Sequence, residues 1–309
     1  MHWLVKIILL FEIGLATGIF LFSPDQKTKI LSVSSHLPDL VFPEAKSSFS
    51  IIFTGDVMLG RSVNTRTIKY SDHTWPFKKI GNFISQADMT VINLESPFVS
   101  DCKPTDSGMI FCSDPQNVAG LVSAGVDYAT LANNHIKNYG EEGITDTKST
   151  LKNNGITPVE QGKAEFNTVK NTKIALLAFC DLPQIENNLV RNQISSATPS
   201  ADLVVVTFHW GNEYQAIPSQ RQVDLAHLAI DSGADLVVGH HPHWTQTEEI
   251  YKDKPIYYSL GNLIFDQMWS EETRLGQILR VTFKNKELIS KELISTKIFD
   301  YGQPVILEN

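Results

Sequence analysis

Six apolar runs in this chain each end in residues that bind metals or move protons. Residues 51–53 lead into Thr54-Gly55-Asp56, residues 90–92 into Asn93-Leu94-Glu95, and residues 129–132 into Asn133-Asn134-His135. Residues 204–208 lead into His209-Trp210-Gly211, residues 236–238 into Gly239-His240-His241-Pro242-His243, and residues 256–260 into Gly261-Asn262. Short runs of this kind, rich in Val, Ile, Leu, Phe and Tyr, read as buried strands. In open sheets, ligands gather beyond the carboxyl ends of strands, where the backbone leaves the core. The pattern therefore demands a fold that brings six strand ends to one edge, and it predicts one polynuclear site there.

The remaining elements fit a layered α/β domain. Helix-like stretches at residues 76–86, 115–124, 141–154 and 220–232 alternate with the strands, and Gly125, Asn154-Gly155 and Gly233 supply stops. Residues 276–283 and 287–299 read as an antiparallel hairpin turning at 284–286 and packed on the main sheets. The chain has 309 residues, enough for one large domain with a sizeable core. Its formal net charge is −8 and no basic stripe interrupts it, which argues against a nucleic-acid partner.

The first residues differ in kind. Residues 3–22 are about as long as a bilayer-spanning helix and mostly apolar, broken by Lys6 and by Glu12 near midspan. Ser23-Pro24-Asp25 makes a poor cleavage site, so an uncleaved signal anchor over residues 1–24 is favoured over a removed signal peptide. A buried soluble helix fits less well, because the apolar residues surround the helix instead of forming a stripe. Residues 25–48 read as a tether, and 49–309 as the folded domain outside the cytoplasm, periplasmic or at the cell surface. Cys102 and Cys112 bracket a short polar loop; they either close a small disulfide or remain two free thiols. Cys180, inside an apolar run, reads as a packed core residue.

Imidazole suits Zn, Mn, Fe and similar ions, and Pro242 stiffens the pair His241 and His243. Asp56 and Glu95 offer carboxylates, one of which would bridge two ions. In Asn134-His135, the Asn oxygen is a candidate ligand and the His a proton donor or a stabiliser of developing charge. His209 ends a central strand and reads as a ligand. Arg61, Glu213 and Asn262 lie at motif ends and are candidate substrate contacts; solvated turn residues are the simpler reading of the first two.

Thr-Gly-Asp-Val-Met-Leu-Gly-Arg at 54–61, Val-Ile-Asn-Leu-Glu-Ser-Pro at 91–97 and Leu-Ala-Asn-Asn-His at 131–135 closely resemble the CapA family of poly-γ-glutamate capsule biosynthesis. So do Phe-His-Trp-Gly-Asn-Glu-Tyr at 208–214, Val-Gly-His-His-Pro-His at 238–243 and Tyr-Ser-Leu-Gly-Asn-Leu-Ile-Phe-Asp at 258–266. That family is similar to the calcineurin-like metallophosphoesterases. The resemblance implies a four-layer αββα sandwich and one or two divalent metals. On that pattern Asp56 and His243 hold one ion and Glu95 bridges. Asn134, His209 and His241 hold the second, with Asp56 and His135 in the catalytic roles. The phosphoesterase pattern carries a His two residues after the first Asp, where this chain has Met58.

Two readings follow from the resemblance. One is a membrane-anchored, metal-dependent hydrolase or transferase acting on a phosphoester or on an anionic cell-envelope polymer. The other is a non-catalytic, polymer-binding subunit working with membrane-bound capsule synthesis proteins. A metal-mediated site suits the acidic chain, since a cation binds carboxylates or phosphates that surface charge would repel.

Overall fold

Strand β1 (Phe49–Val57) is buried on both faces along all but its second residue, and the domain is built around it. A computed structural model describes residues 48–284 and 286–308. The expected membrane span and all but the last residue of the expected tether lie outside these residues. Among the described residues, no helix is long and apolar enough to cross a membrane.

The chain makes three passes. The first runs β1, α1 (Arg61–Tyr70), α2 (Gly81–Ile84), β2 (Met89–Leu94), α3 (Val118–Ser123), β3 (Tyr128–Thr130), α4 (Gly140–Asn153) and β4 (Thr157–Val159). Here β1 to β4 pair side by side and parallel. The second pass runs β5 (Glu165–Val169), β6 (Thr172–Cys180), α5 (Asn187–Ala197), β7 (Leu203–His209), α6 (Gln220–Asp231), β8 (Leu236–His240), β9 (Glu248–Tyr251) and β10 (Lys254–Tyr257). It forms a six-stranded sheet in the order β5-β6-β7-β8-β10-β9. The third pass is β11 (Asn262–Ile264), α7 (Glu271–Arg274), β12 (Leu275–Lys284), β13 (Glu287–Phe299) and β14 (Gln303–Ile306). It returns to the first sheet, giving β14-β13-β12-β1-β2-β3-β4 with β11 on the end of β1. The predicted hairpin is β12–β13.

Period-two alternation sorts the strand side chains into three apolar layers. Ile51 and Phe53 of β1 join Leu203, Val205 and Val238 between the two sheets. Ile52 faces the other way, toward Phe77, Leu121 and Leu151 from the first pass. Val204, Val206 and Phe208 of β7 pack under α5 and α6 against Val190, Ile194 and Leu225. Helices thus flank two stacked sheets. Each fully buried Leu, Ile or Phe contributes roughly 1.5–3 kcal/mol, so these layers fix the sheet registers on which the site depends.

The predicted helix at 76–86 is two pieces, a 3-10 turn at Trp75–Phe77 and then α2. Trp75, Pro76 and Phe77 are all buried, and one helix stripe cannot bury three consecutive residues. The other three predicted helices correspond to α3 with the 3-10 turn before it, α4 and α6, the last with a Ser219/Gln222 capping box. Cys102 and Cys112 form a disulfide, and Cys180 is a free, buried cysteine in the layer between the sheets.

Candidate metal centre

The carboxyl ends of β1, β2, β3, β7 and β8 meet at one edge of the stacked sheets. Pairing of β1 with β2 sets Asp56 opposite Asn93, and pairing of β7 with β8 sets His209 opposite His240. Beyond a bulge in β1, Asp56 also pairs with Asn262 at the start of β11. Gly55 permits this approach, because a Cβ there would lie 2.5 Å from the carbonyl oxygen of Gly261.

Asp56 is fully buried and held from four sides. Its Oδ1 accepts from Asn93 Nδ2 at 2.9 Å and lies 3.1 Å from His240 Nδ1. Its Oδ2 accepts from the His241 backbone N–H at 3.1 Å and lies 3.2 Å from His243 Nδ1. Burial pushes this carboxyl up, but the imidazoles of His240 and His243 overcome it and hold Asp56 well below the usual carboxylate range.

Glu95 is the opposite case. It is fully buried, yet neither carboxylate oxygen has a hydrogen-bond partner. Its Oε1 faces three imidazoles: His243 Nε2 at 3.8 Å, His135 Nε2 at 3.9 Å and His209 Nε2 at 4.0 Å. Burial, then the charges of Asp56 and Glu213, push the Glu95 carboxyl well above its ordinary value. Buried carboxylates are normally hydrogen-bonded, paired or on a metal. Burial likewise holds His209 well below its ordinary value, and burial with the neighbouring His243 brings His241 down to about 4. Both are neutral imidazoles at pH 7.

One ligand atom from each of Glu95, His209 and His241 lies within 4.8 Å of the others, and the same holds for Asp56, Glu95 and His243. An orphaned buried carboxylate amid imidazoles is a donor set that could hold a divalent cation. The supporting contacts are equally specific. Asn262 Oδ1 lies 3.0 Å from His243 Nδ1, which leaves His243 Nε2 facing Glu95. Asn134 Oδ1 lies 2.9 Å from His209 Nε2, so the two predicted ligands converge on one point. His241 and His243 hold φ of 96° and 58°, left-handed conformations that β-carbon sterics disfavour by about 1–3 kcal/mol each.

His135 lies at the rim. Asn138 Oδ1 accepts from the Phe111 N–H at 2.7 Å and sits 3.0 Å from His135 Nδ1, so Nδ1 carries the ring proton and Nε2 is free. Burial keeps this imidazole below its ordinary pKa. Phe111 stacks on it at 3.9 Å, and the Arg61 guanidinium lies 4.6 Å from the Phe111 centroid on its way to an ion pair with Asp266. The 102–112 disulfide loop presents Phe111 and supplies the Gly108 carbonyl to Arg61 at 3.0 Å.

Among the residues predicted from sequence, Asp56, Glu95, Asn134, His135, His209, His241 and His243 converge. Glu213 approaches the two histidines of the His-Pro-His loop. The Asn262 amide is taken up by His243, Gln267 and Thr273, behind the cluster. Met58 turns away into an apolar cluster with Phe111, Phe265 and Ile298, so it offers nothing to the centre. Sequence reasoning missed the positioning roles of Asn93 and His240. Their signal was their place, polar side chains at the ends of otherwise apolar strands.

Residues 50–267 match the family described as "Bacterial capsule synthesis protein PGA_cap". The chain belongs to this family. It is 33% identical over 251 residues to "Capsule biosynthesis protein CapA" of Bacillus anthracis, covering 72% of this chain and 61% of that protein. It is 31% identical to "PGA biosynthesis protein CapA" of Bacillus subtilis, covering 72% of this chain and 64% of that one. The chain thus spans less than two thirds of either CapA relative. A "Probable polyglutamine synthesis accessory protein" of Mycobacterium tuberculosis is 25% identical over 86% of this chain and 81% of its own. A crystal structure of a hypothetical protein from Thermus thermophilus shares the fold, with TM-score 0.55 at 13% identity over 80% of this chain and 99% of that one.

Proposed function

We propose that this CapA-family protein serves the synthesis or export of poly-γ-glutamate or a related anionic cell-envelope polymer, and that its strand-end cluster is a divalent-metal hydrolase centre of metallophosphoesterase type. We further propose that residues 3–22 anchor it in the membrane, with the folded domain outside the cytoplasm. The observation that carries the metal reading is Glu95, a buried carboxylate with both oxygens unpartnered and three imidazole nitrogens 3.8–4.0 Å away. The names of the two Bacillus relatives, in capsule and PGA biosynthesis, support the polymer.

Asp56, Glu95, Asn134, His209, His241 and His243 would hold the ion or ions. The chemistry supplied there is Lewis-acid activation of a phosphoryl or carbonyl oxygen and a lowered pKa for water. The protein's own residues do the rest. Asn93 and His240 fix the Asp56 carboxylate, and Asn262 fixes the ring of His243. Neutral His135 faces the cluster through Nε2, so it would take a proton from the attacking water and deliver it to the leaving group. Arg61, paired with Asp266, packs on Phe111 at the rim beside His135 and is the candidate contact for an anionic substrate.

The test is an assay of the full-length protein with Mn²⁺ or Zn²⁺ against poly-γ-glutamate and a panel of phosphoesters, beside His135→Ala and Glu95→Ala. Metal-dependent turnover lost in both variants supports the reading. Metal binding without turnover of any substrate would move the protein to the polymer-binding role.

A further inference from the structure

The loop after β7 has no part in the six ligands above, yet it is built against them. Gly211 and Tyr214 take positive φ, 81° and 60°, turning the chain back on itself. The Tyr214 N–H then donates to the Pro242 carbonyl at 2.8 Å, pinning this loop to the turn between His241 and His243. The Tyr214 ring lies 6.2 Å from that of His243, and its hydroxyl accepts from Gln267 at 3.3 Å. Between these anchors stands Glu213, half-buried. One ligand atom from each of Glu213, His241 and His243 lies within 4.8 Å of the others.

A carboxylate near two imidazoles is not by itself a site. The second observation is His241, which is 5% exposed and whose Nδ1 has no hydrogen-bond partner. The third is charge. Asp56, Glu95 and Glu213 put three carboxylates on one cluster, and the Arg61 cation beside them is already paired with Asp266. One divalent ion would leave this assembly net negative and repel an anionic substrate; two would reverse the sign.

We propose that Glu213 is a metal ligand which, with His241 and His243, holds a divalent cation in addition to that of the buried Asp56 and Glu95 carboxylates. This rests on the metal reading of the strand-end cluster and extends it by one ligand. Tyr214, whose hydroxyl neighbours the Glu213 carboxylate, positions it and does not ligate.

Co²⁺ titration of the full-length wild type, Glu213→Gln and Tyr214→Phe, followed by calorimetry and by the visible spectrum, tests it. Glu213→Gln should weaken one bound ion by about tenfold or more and alter the visible band, while Tyr214→Phe should weaken the same ion and leave the visible band in place. Wild-type affinity, stoichiometry and spectrum in Glu213→Gln would overturn the proposal and leave the metal reading intact. Absence of Co²⁺ binding by the wild type would instead bring down the metal reading, and this with it. Should Glu213→Gln fail to fold, Glu213→Asp is read in the same way, since a carboxylate shortened by one methylene also loses reach to the ion.

Discussion

Replacing Glu95 with Gln removes a charge while keeping nearly the same shape, so it isolates what that charge does. In the metal-free protein the folded state raises the Glu95 carboxyl above its ordinary 4.5, through burial and then through Asp56 and Glu213. Between 4.5 and the raised value the folded state therefore binds more protons than the unfolded state, and stability falls as pH rises. The slope is about 1.4 kcal/mol per pH unit, and the loss is complete only above the raised value. At pH 7 the destabilisation is at most about 3 kcal/mol, because a carboxyl raised beyond about 7 simply keeps its proton. Glu95→Gln abolishes this slope. The amide adds a constant of its own, so the quantity to follow is the difference between variant and wild type. Thermal melts in EDTA from about pH 5 to 8 should show the variant gaining on the wild type as pH rises, by up to roughly 8 °C. With metal at about a hundredfold its dissociation constant, the wild type gains about 2.7 kcal/mol that the variant lacks, and the order shifts back toward the wild type. A difference that is flat or shrinking with pH would refute the picture of an uncompensated buried carboxylate.

Asn93→Ala removes hydrogen-bonded contacts to Asp56 at 2.9 Å and to His209 at 3.3 Å, and metal affinity measured by calorimetry should drop about 10–100-fold. Replacing Cys102 and Cys112 together by Ser opens a loop with a sequence separation of 10, and the melt should show a loss of about 2–3 kcal/mol. The same double variant should weaken the Phe111 stack on His135, read as a shifted His135 ring resonance by NMR. Gly55→Ala drives a Cβ to 2.5 Å from the Gly261 carbonyl oxygen and should destabilise by more than about 3 kcal/mol, because both partners are backbone.

The ligands were legible because they end apolar strands: nothing in a strand core explains His209 after Val204, Val205, Val206, Thr207 and Phe208. The helices α3, α4 and α6 were legible through the stops Gly125, Asn154-Gly155 and Gly233. Three helices, α1, α5 and the single turn α7, were not. In α1, Ser62, Asn64 and Thr67 are buried beside Val63, so the buried face is largely polar and gives no apolar stripe. In α5 the buried face is Val190, Ile194 and Ala197, a single short row within a polar segment. The roles of Asn93 and His240 were hidden for another reason. Which carboxylate an amide or imidazole reaches depends on sheet register, and register comes from packing that the sequence does not print residue by residue. The place of Met58 is similar: its thioether packs with Phe111 and Phe265, residues far away in the chain.

Metal content of the purified full-length protein, after incubation with Mn²⁺ or Zn²⁺ and removal of free ion, bears most directly on the central claim. The wild type should retain about one to two equivalents, and His241→Ala and Glu95→Ala should lose them while keeping their folded spectra. A wild type that retains none, or variants that retain as much as the wild type, would contradict it.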